Sequence, residues 1–486
     1  MKDKPTLPPL WQALIPVVFL VGLLSLNVIE VYGDDALAGS NQFILLLAGA
    51  LAAALGVLRG IPWQKLLEGI EAAVKSTTGA IIILLLIGSL AGAWMISGIV
   101  PAMIYYGLEI LKPSFFLPAT AIICALVSLA TGSSWSTTAT VGIALIGIGK
   151  ALALNEALVA GAVISGAYFG DKLSPLSDTT NLAPAMAGTD LFTHIRYMLY
   201  TTVPAFGISL LAFGLIGLQG TAAGSSSQIE TVQSELAGLY NLSPWLFLVP
   251  ALVIFLIVRK VPALPAILVG TLAGGLFALF FQQDLLSQLG GPGLQNQYRL
   301  LVDALTVDLS YPAQDPILRD LLSSGGMSGM LGTVWLILAA MVFGGTMEAA
   351  GFLASISQAL LRLATGAASL IATTAGTCVA LNLTASDQYL AIVVPGRMYA
   401  AAYRQMGLAP ENLSRTLEDS GTVTSVLVPY NTCGAYQSSV LGVDTLAYLP
   451  YAFFNYLSPF FTILYAALGF RIRTLAQAGH KPSLER

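Results

Sequence analysis

The stretch SPLSDTTNLAP, residues 174–184, decides how this chain is read. It packs two prolines, a carboxylate, an amide and four hydroxyls between the apolar run ALVAGAVISGAYFG (157–170) and another starting at Tyr197. A bilayer core cannot hydrate free backbone groups. Irregular backbone at membrane depth therefore survives only inside protein or beside a water-filled cavity. Pro175 and Pro184 are expected to break a helix here, with Asp178 between them. The broken ends would offer N–H groups from one half and carbonyls from the other.

Composition supplies the membrane. The chain has 486 residues, 56% hydrophobic and 9% charged, with a mean hydropathy of +0.80. Soluble domains carry about 25% charged residues. Apolar spans fall near 10–29, 40–58, 79–98, 115–130, 138–149, 157–170 and 197–218. Further ones follow near 244–258, 262–281, 331–350, 367–381, 389–403, 412–428 and 446–470. Lengths of about 20 residues suit a bilayer, and the alternating ten-residue segments of a barrel are absent. The fold class is thus an all-α polytopic membrane protein. Its N-terminal apolar stretch is too long for a signal peptide and reads as the first span. No basic block suggests a nucleic-acid partner; membrane lipids are the expected surroundings. Cys124, Cys378 and Cys433 form no CxxC pair and read as buried small residues.

An internal repeat organises the spans. PLSDTTN (175–181) faces PYNTCGA (429–435), and fifteen residues beyond each proline stand Asp190 and Asp444. ALNEALV (153–159) faces LAPENLS (408–414), and GAWMISG (92–98) faces GTMEAAG (345–351). Residues 1–218 form a first membrane repeat and 219–243 an extracytoplasmic linker. Residues 244–470 form a second repeat and 471–486 a cytoplasmic tail. Positive charge marks the cytoplasmic side: Arg59, Lys65 and Lys75 follow the second span, and Arg259 and Lys260 follow the span 244–258. The loops EVYGDD (30–35) and 282–330 are acidic and read as outside, the basic tail as inside. Both termini are then cytoplasmic and equivalent positions fall on opposite sides, an inverted-topology repeat typical of secondary transporters.

A second polar interruption occurs in each half, ATGSSWSTTAT (130–140) and LNLTASDQ (381–388). Each reads as the tip of a re-entrant hairpin, giving two hairpins and two broken transmembrane helices. The candidate ion site is Ser177, Asp178, Thr179, Thr180 and Asn181, with Ser133 and Ser134, Asp387, Asn431 and Thr432. These side-chain oxygens suit a small hard cation. A buried carboxylate such as Asp178 can hold a proton or a cation, and competition for it couples the two. Asp419, Glu348 and Asp171 are further proton-coupling candidates, Glu348 because it lies deep in the apolar FGGTMEAAGF.

Plainer roles stand beside these. Asp178 can cap a helix, and Asp190 and Asp444 are read as caps. Asp171 and Lys172 are placed at the membrane surface, His194 at the interface, and Arg397 snorkels or pairs with a carboxylate. GTLAGG (270–275) is a close-packing stretch.

GAYFGDKLSPLSDTTNLAPAMAGTDLFTHI, TGSSWSTTATVGIALIGIG, NLTASDQYLAIVVPGRMY and NLSRTLEDSGTVTSVLVPYNTCGAYQSSVLGV closely resemble NhaC-type Na+/H+ antiporters over nearly the whole chain. The resemblance implies Na+ (or Li+) exchanged for H+ across a prokaryotic cytoplasmic membrane, no cofactor, and a homodimer. It also implies that Ser177–Asn181, Glu418–Thr422 and Pro429–Gly434 line the ion path. Where the family pattern runs SPLIPWNTCG this chain has SVLVPYNTCG, with Val426 and Tyr430 substituted. The family includes malate/lactate exchangers, so a Na+- or H+-coupled carrier of organic acids or amino acids is the alternative. A channel would use the same hairpins without a titratable carboxylate. An intramembrane hydrolase lacks a base beside TGSSWS, and GxxxxGK[ST] is absent, which argues against ATP-driven transport.

Overall fold

The computed structural model describes residues 7–32, 39–219, 226–309, 311 and 322–477. Among these the only β pairing is two isolated bridges, and the repeating elements are helices. Seven helices are long and apolar enough to cross a membrane, or eight if the pair Ile229–Leu239 and Pro244–Val258, bent by 92°, is one span.

The first half contains α1 (Leu10–Leu26), α2 (Ser40–Leu58), α3 (Trp63–Ile96), α4 (Ile99–Ile110), α5 (Pro113–Thr131), α6 (134–151), α7 (Glu156–Leu173), α8 (Asp178–Ala187) and α9 (Leu191–Leu218). After α10 (Ser226–Leu239) come α11 (Leu248–Val258), α12 (Ala263–Phe281), α13 (Gln283–Gly290), α14 (Leu294–Thr306) and α15 (Leu331–Ala349). The chain closes with α16 (Phe352–Leu361), α17 (Ala367–Thr384), α18 (Gln388–Gln405), α19 (410–427), α20 (Thr432–Leu441) and α21 (Phe453–Ala467).

Several sequence expectations change. The third span begins at Trp63, not near 79, because helix propensity carries α3 beyond its apolar part. The polar linker contains the helix α10, and the acidic loop contains α13 and α14. Pro184 does not break a helix: it sits inside α8, late enough that only one turn follows. Gly33–Asp35, Asp315, Arg319, Asp320 and the tail residues His480, Lys481 and Arg486 lie outside the described residues.

At 34 residues, α3 is about 50 Å long, so its ends mark the two ends of the molecule. Beside its C-terminus, Gln282 Nε2 donates to Ser97 O and Asn241 O, both at 3.0 Å. Tyr106 bonds Leu242 O at 2.9 Å, and Gly217 packs on Ser114 at the start of α5. Beside its N-terminus, Gly69 packs on Ala349, and Ser355 Oγ donates to Pro8 O at 2.7 Å. The hairpin α5–α6 therefore opens toward one end, and the hairpin α17–α18, which follows α16, toward the other. The halves are inverted.

Backbone conformation repeats with them. Left-handed residues occur at Gly98, Gly132, Ala153 and Gly188, and again at Gly351, Ser386, Gly407 and Gly442. Their separations are 34, 21 and 35 residues in the first half and 35, 21 and 35 in the second. Each marks the same event: the turn after α3 or α15, a hairpin tip, the turn before a broken helix, and the end of its second piece. Ala153 and Ser386 hold this conformation without being glycine, which costs about 1–2 kcal/mol each.

Helices approach closely where side chains are small, since lipid removes the hydrophobic drive between them. A Cβ on Gly166 would lie 2.1 Å from Ala121 O, and one on Gly170 2.3 Å from Ala125 O. These glycines lock α7 onto α5. Gly270 and Gly274 do the same for α12 against Val253 and Trp94. Two π turns interrupt the ladders, Thr138–Gly142 in α6 and Glu418–Thr422 in α19. Asn382 Nδ2 caps the loosened Gly421 O at 2.8 Å, and Asn455 Nδ2 caps Val423 O at 2.9 Å.

Candidate functional site

The N-termini of α6, α8, α18 and α20 meet at the middle of the molecule. Their first-turn N–H groups have no intrahelical partner and no bulk water at this depth. Polar caps replace it. Ser133 Oγ accepts from Ser136 N at 3.1 Å, and Ser177 Oγ from Thr180 N at 3.4 Å. Asp387 Oδ1 accepts from Leu390 N at 2.9 Å, and Asn431 Oδ1 from Cys433 N at 3.1 Å. The remaining polar side chains of 174–184 close the break. Thr180 Oγ1 donates to Asp171 O and Lys172 O at 3.2 and 3.1 Å. Asn181 Nδ2 donates to Pro175 O and Ser177 O at 2.9 and 2.7 Å.

Around these caps lies a cavity of about 780 Å³. Its wall carries three carboxylates, Asp171, Asp178 and Asp387, and the hydroxyls of Ser133, Ser134, Ser177, Thr179 and Thr432. Ser76 and Thr77 of α3 and the exposed Lys260 of the α11–α12 turn complete it. Asp171 Oδ2 accepts from Ser134 N at 3.0 Å and Ser134 Oγ at 2.6 Å, fastening α7 to the hairpin tip. Asp178, first residue of α8, is exposed to the cavity rather than buried as the sequence suggested. The four N–H ends facing the cavity favour negative charge, and the C-terminal ends of α5 (Thr131, Gly132) and α7 (Asp171) also reach its wall.

A charged pair lies behind the wall. Lys172 Nζ bonds Asp419 Oδ1, and both side chains are fully buried. Lys172 also donates to Ser458 Oγ at 2.7 Å, and Asp419 accepts from Ser458 at 3.2 Å and from Thr462. The pair joins the first broken helix to the second. Next to it, Glu418 Oε1 accepts from Thr179 Oγ1 at 2.9 Å.

The candidate residues therefore divide. Ser133, Ser134, Asp171, Ser177, Asp178, Thr179, Asp387 and Thr432 share one cavity. Thr180, Asn181 and Asn431 shape the breaks; Asn431 Nδ2 bonds Asn382 at 3.2 Å. Asp419 is held in the ion pair. Glu348 is exposed rather than deep, since it falls on the outer face of the last turn of α15. Asp171 and Lys172 are buried, not at the surface, because α7 continues inward to its break. His194 is likewise fully buried rather than interfacial: its Nδ1 pairs with Ser414 Oγ at 2.8 Å. Asp190 caps α9 by accepting from Thr193 N at 2.9 Å, and Asp444 occupies the cap before Thr445–Tyr448. Arg397 is exposed. Sequence reasoning missed Lys172 as an ion partner, the hydroxyls of Ser76 and Thr77, and the stack of Trp135 on Tyr436, 3.9 Å between ring centroids, at the cavity wall. The run STT (76–78) just before the predicted third span was the available signal for the second of these.

Known proteins are similar to this sequence. Residues 166–470 match the Na+/H+ antiporter family. The chain is 38% identical to the Na(+)/H(+) antiporter NhaC of Alkalihalophilus pseudofirmus, covering 87% of this chain and 89% of that one. It is 34% identical to NhaC of Bacillus subtilis over 86% of this chain and 90% of that one. It is also 34% identical to the malate-2H(+)/Na(+)-lactate antiporter of Bacillus subtilis, covering 96% of each. Similarity of this extent, on inverted halves with paired hairpins and broken helices, means that the chain belongs to the Na+/H+ antiporter family.

Proposed function

We propose that this protein exchanges Na+ for H+ across a prokaryotic cytoplasmic membrane, with Asp178 holding either ion in turn. One observation carries the reading: Asp171, Asp178 and Asp387 converge on a single cavity with hydroxyl residues that include Ser133, Ser134, Ser177, Thr179 and Thr432. Hard cations take oxygen ligands, and carboxylates with hydroxyls supply them. Asp178 is the exposed member of the three, free to take an incoming ion. Positive charge at Arg59, Lys65, Lys75, Arg259 and Lys260 clusters toward the end where α3 begins, which is then the cytoplasmic end. Both termini read as cytoplasmic and the working unit as a homodimer.

A second reading rests on the four helix N-termini, which also suit an organic carboxylate. It is a Na+- or H+-coupled carrier of small organic acids, in line with the malate/lactate relative.

Purified protein in liposomes with an internal pH dye separates the two. A proton gradient is imposed, then Na+, Li+, K+, malate and lactate are added in turn, with Asp178→Asn alongside. Na+ alone should collapse the gradient, and Asp178→Asn should not respond. A gradient that collapses only on adding malate or lactate favours the carrier instead.

A further inference from the structure

Glu418 has no role in the cation cavity, yet its setting is unusual. The side chain is fully buried. Oε1 has the Thr179 hydroxyl at 2.9 Å, while Oε2 makes no hydrogen bond among the described residues. The Thr422 hydroxyl, one turn on, interacts with Glu418 without meeting hydrogen-bond geometry and has no other partner among the described residues. Its neighbour Asp419 is the opposite case, met by Lys172, Ser458 and Thr462. A buried ionised carboxylate without a cation or several donors is costly, whereas a neutral carboxyl is tolerated. Charged and titratable groups face Glu418 from each side: Asp171 and Lys172 on α7, Cys378 on α17, and Asp419 on its own helix. Lys172 bonds Asp419 and makes no direct bond to Glu418.

A path leads from this carboxyl to the cavity. Thr179 Oγ1 touches Glu418 on one side and Ser177 Oγ, at 3.2 Å, on the other, and both hydroxyls line the cavity. The site also straddles the two halves, Thr179 in the first and Glu418 in a π turn of the second; such turns recur at functional sites.

We propose that Glu418 is a second proton site, separate from the cavity carboxylates and connected to them through the Thr179 hydroxyl. The acid passes its proton to Thr179 Oγ1 as Thr179 passes its own hydroxyl proton to a cavity water. The hydroxyl ends neutral and Glu418 ends as a carboxylate; the reverse sequence reloads it. Na+ arriving at Asp178 displaces its proton and raises the local positive charge, which drives release from Glu418 as well, so Glu418 adds a proton to the exchange made at Asp178. This rests on the antiporter reading and adds a group outside the cation site to it.

The test compares two fluxes in proteoliposomes. Na+/Na+ exchange, followed with radioactive Na+ at equal pH on both sides, needs the cation site alone. Full Na+-driven proton movement needs both sites. Glu418→Gln should keep the first and move fewer protons per Na+ in the second, while Asp178→Asn should lose both. Proton movement at the parental rate in Glu418→Gln overturns the proposal. So does loss of Na+/Na+ exchange in a variant that unfolds thermally like the parent. Should Glu418→Gln fail to fold, Glu418→Asp carries the test: a displaced pH profile of proton movement with Na+/Na+ exchange kept supports the site, and an unmoved profile overturns it. Failure of the antiporter reading shows elsewhere, as a parental protein whose proton movement ignores Na+. The same comparison is then made with malate as the driving solute, where coupling at the parental level in Glu418→Gln again overturns the site.

Discussion

Two adjacent residues, Glu418 and Asp419, show what single side chains decide here. Asp419 is saturated by a lysine and two hydroxyls, and Glu418 is not. Sequence places both near the second break and offers Asp419, not Glu418, as the proton-coupling candidate, whereas Asp419 is the one held in the ion pair. The π turn at 418–422 shifts helical phase by about one residue, so counting at 3.6 residues per turn misplaces the faces. Asp178 was easier to find because prolines and hydroxyls surround it, though its exposure to the cavity was not legible. The ion pair makes a distinct prediction. Lys172→Met leaves Asp419 buried without a cation, and Asp419→Asn leaves Lys172 without an anion. Each should destabilise the protein by about 3–5 kcal/mol. Lys172→Met combined with Asp419→Asn removes both charges and should recover most of that loss. Thermal unfolding in detergent measures all three. Additive loss in the double variant would mean that the two charges are not each other's main partners.

At the scale of elements, apolar spans announce most helices, and polar interruptions announce the hairpin tips and breaks. The boundaries follow less directly. Capping decides them, as where Ser177 rather than Pro184 sets the start of the second helical piece. The polar stretch 219–243 was read by composition alone, and composition does not exclude a helix such as α10. Close packing is also partly legible: GTLAGG holds Gly270 and Gly274, both at contacts. Gly166 and Gly170 stand in a GxxxG spacing, GAYFG, which was the available signal of close packing, but it does not name their partners, backbone atoms of α5. Gly170→Ala places a methyl 2.3 Å from Ala125 O and 2.5 Å from Leu129 N. Backbone on that side cannot rotate away, so α7 must move off α5, at a cost of about 1–3 kcal/mol. Since α7 carries Asp171 and Lys172, transport should fall together with melting temperature. A variant with a lower melting temperature but parental transport would show that the α5–α7 contact does not position the site.

The whole molecule has two hairpins and two broken helices related by inversion, yet its cavity is not symmetric. The wall runs from buried Ser134 and Thr432 to the exposed turn at Lys260, beside the part of α3 that holds Ser76 and Ala80. In the opposite direction Trp135 stacks on Tyr436, whose hydroxyl donates to Trp135 O at 2.9 Å. One aromatic ring comes from each half, so this contact is placed to separate when the halves exchange roles. Inverted repeats give alternating access because the same packing serves either direction, and an unequal cavity is the expected snapshot of one of the two states. In the orientation proposed from the charge bias, its mouth faces the cytoplasm. Ala80→Cys in a background lacking Cys433, the native cysteine on the cavity wall, tests both statements. A membrane-impermeant maleimide should label it in inside-out vesicles and leave it unmodified in right-side-out ones. Removing the aromatic contact with Tyr436→Ala should let label arrive from the second side as well. Labelling confined to right-side-out vesicles would reverse the orientation. Labelling from both sides without the second substitution would mean that the Trp135–Tyr436 contact does not close the path.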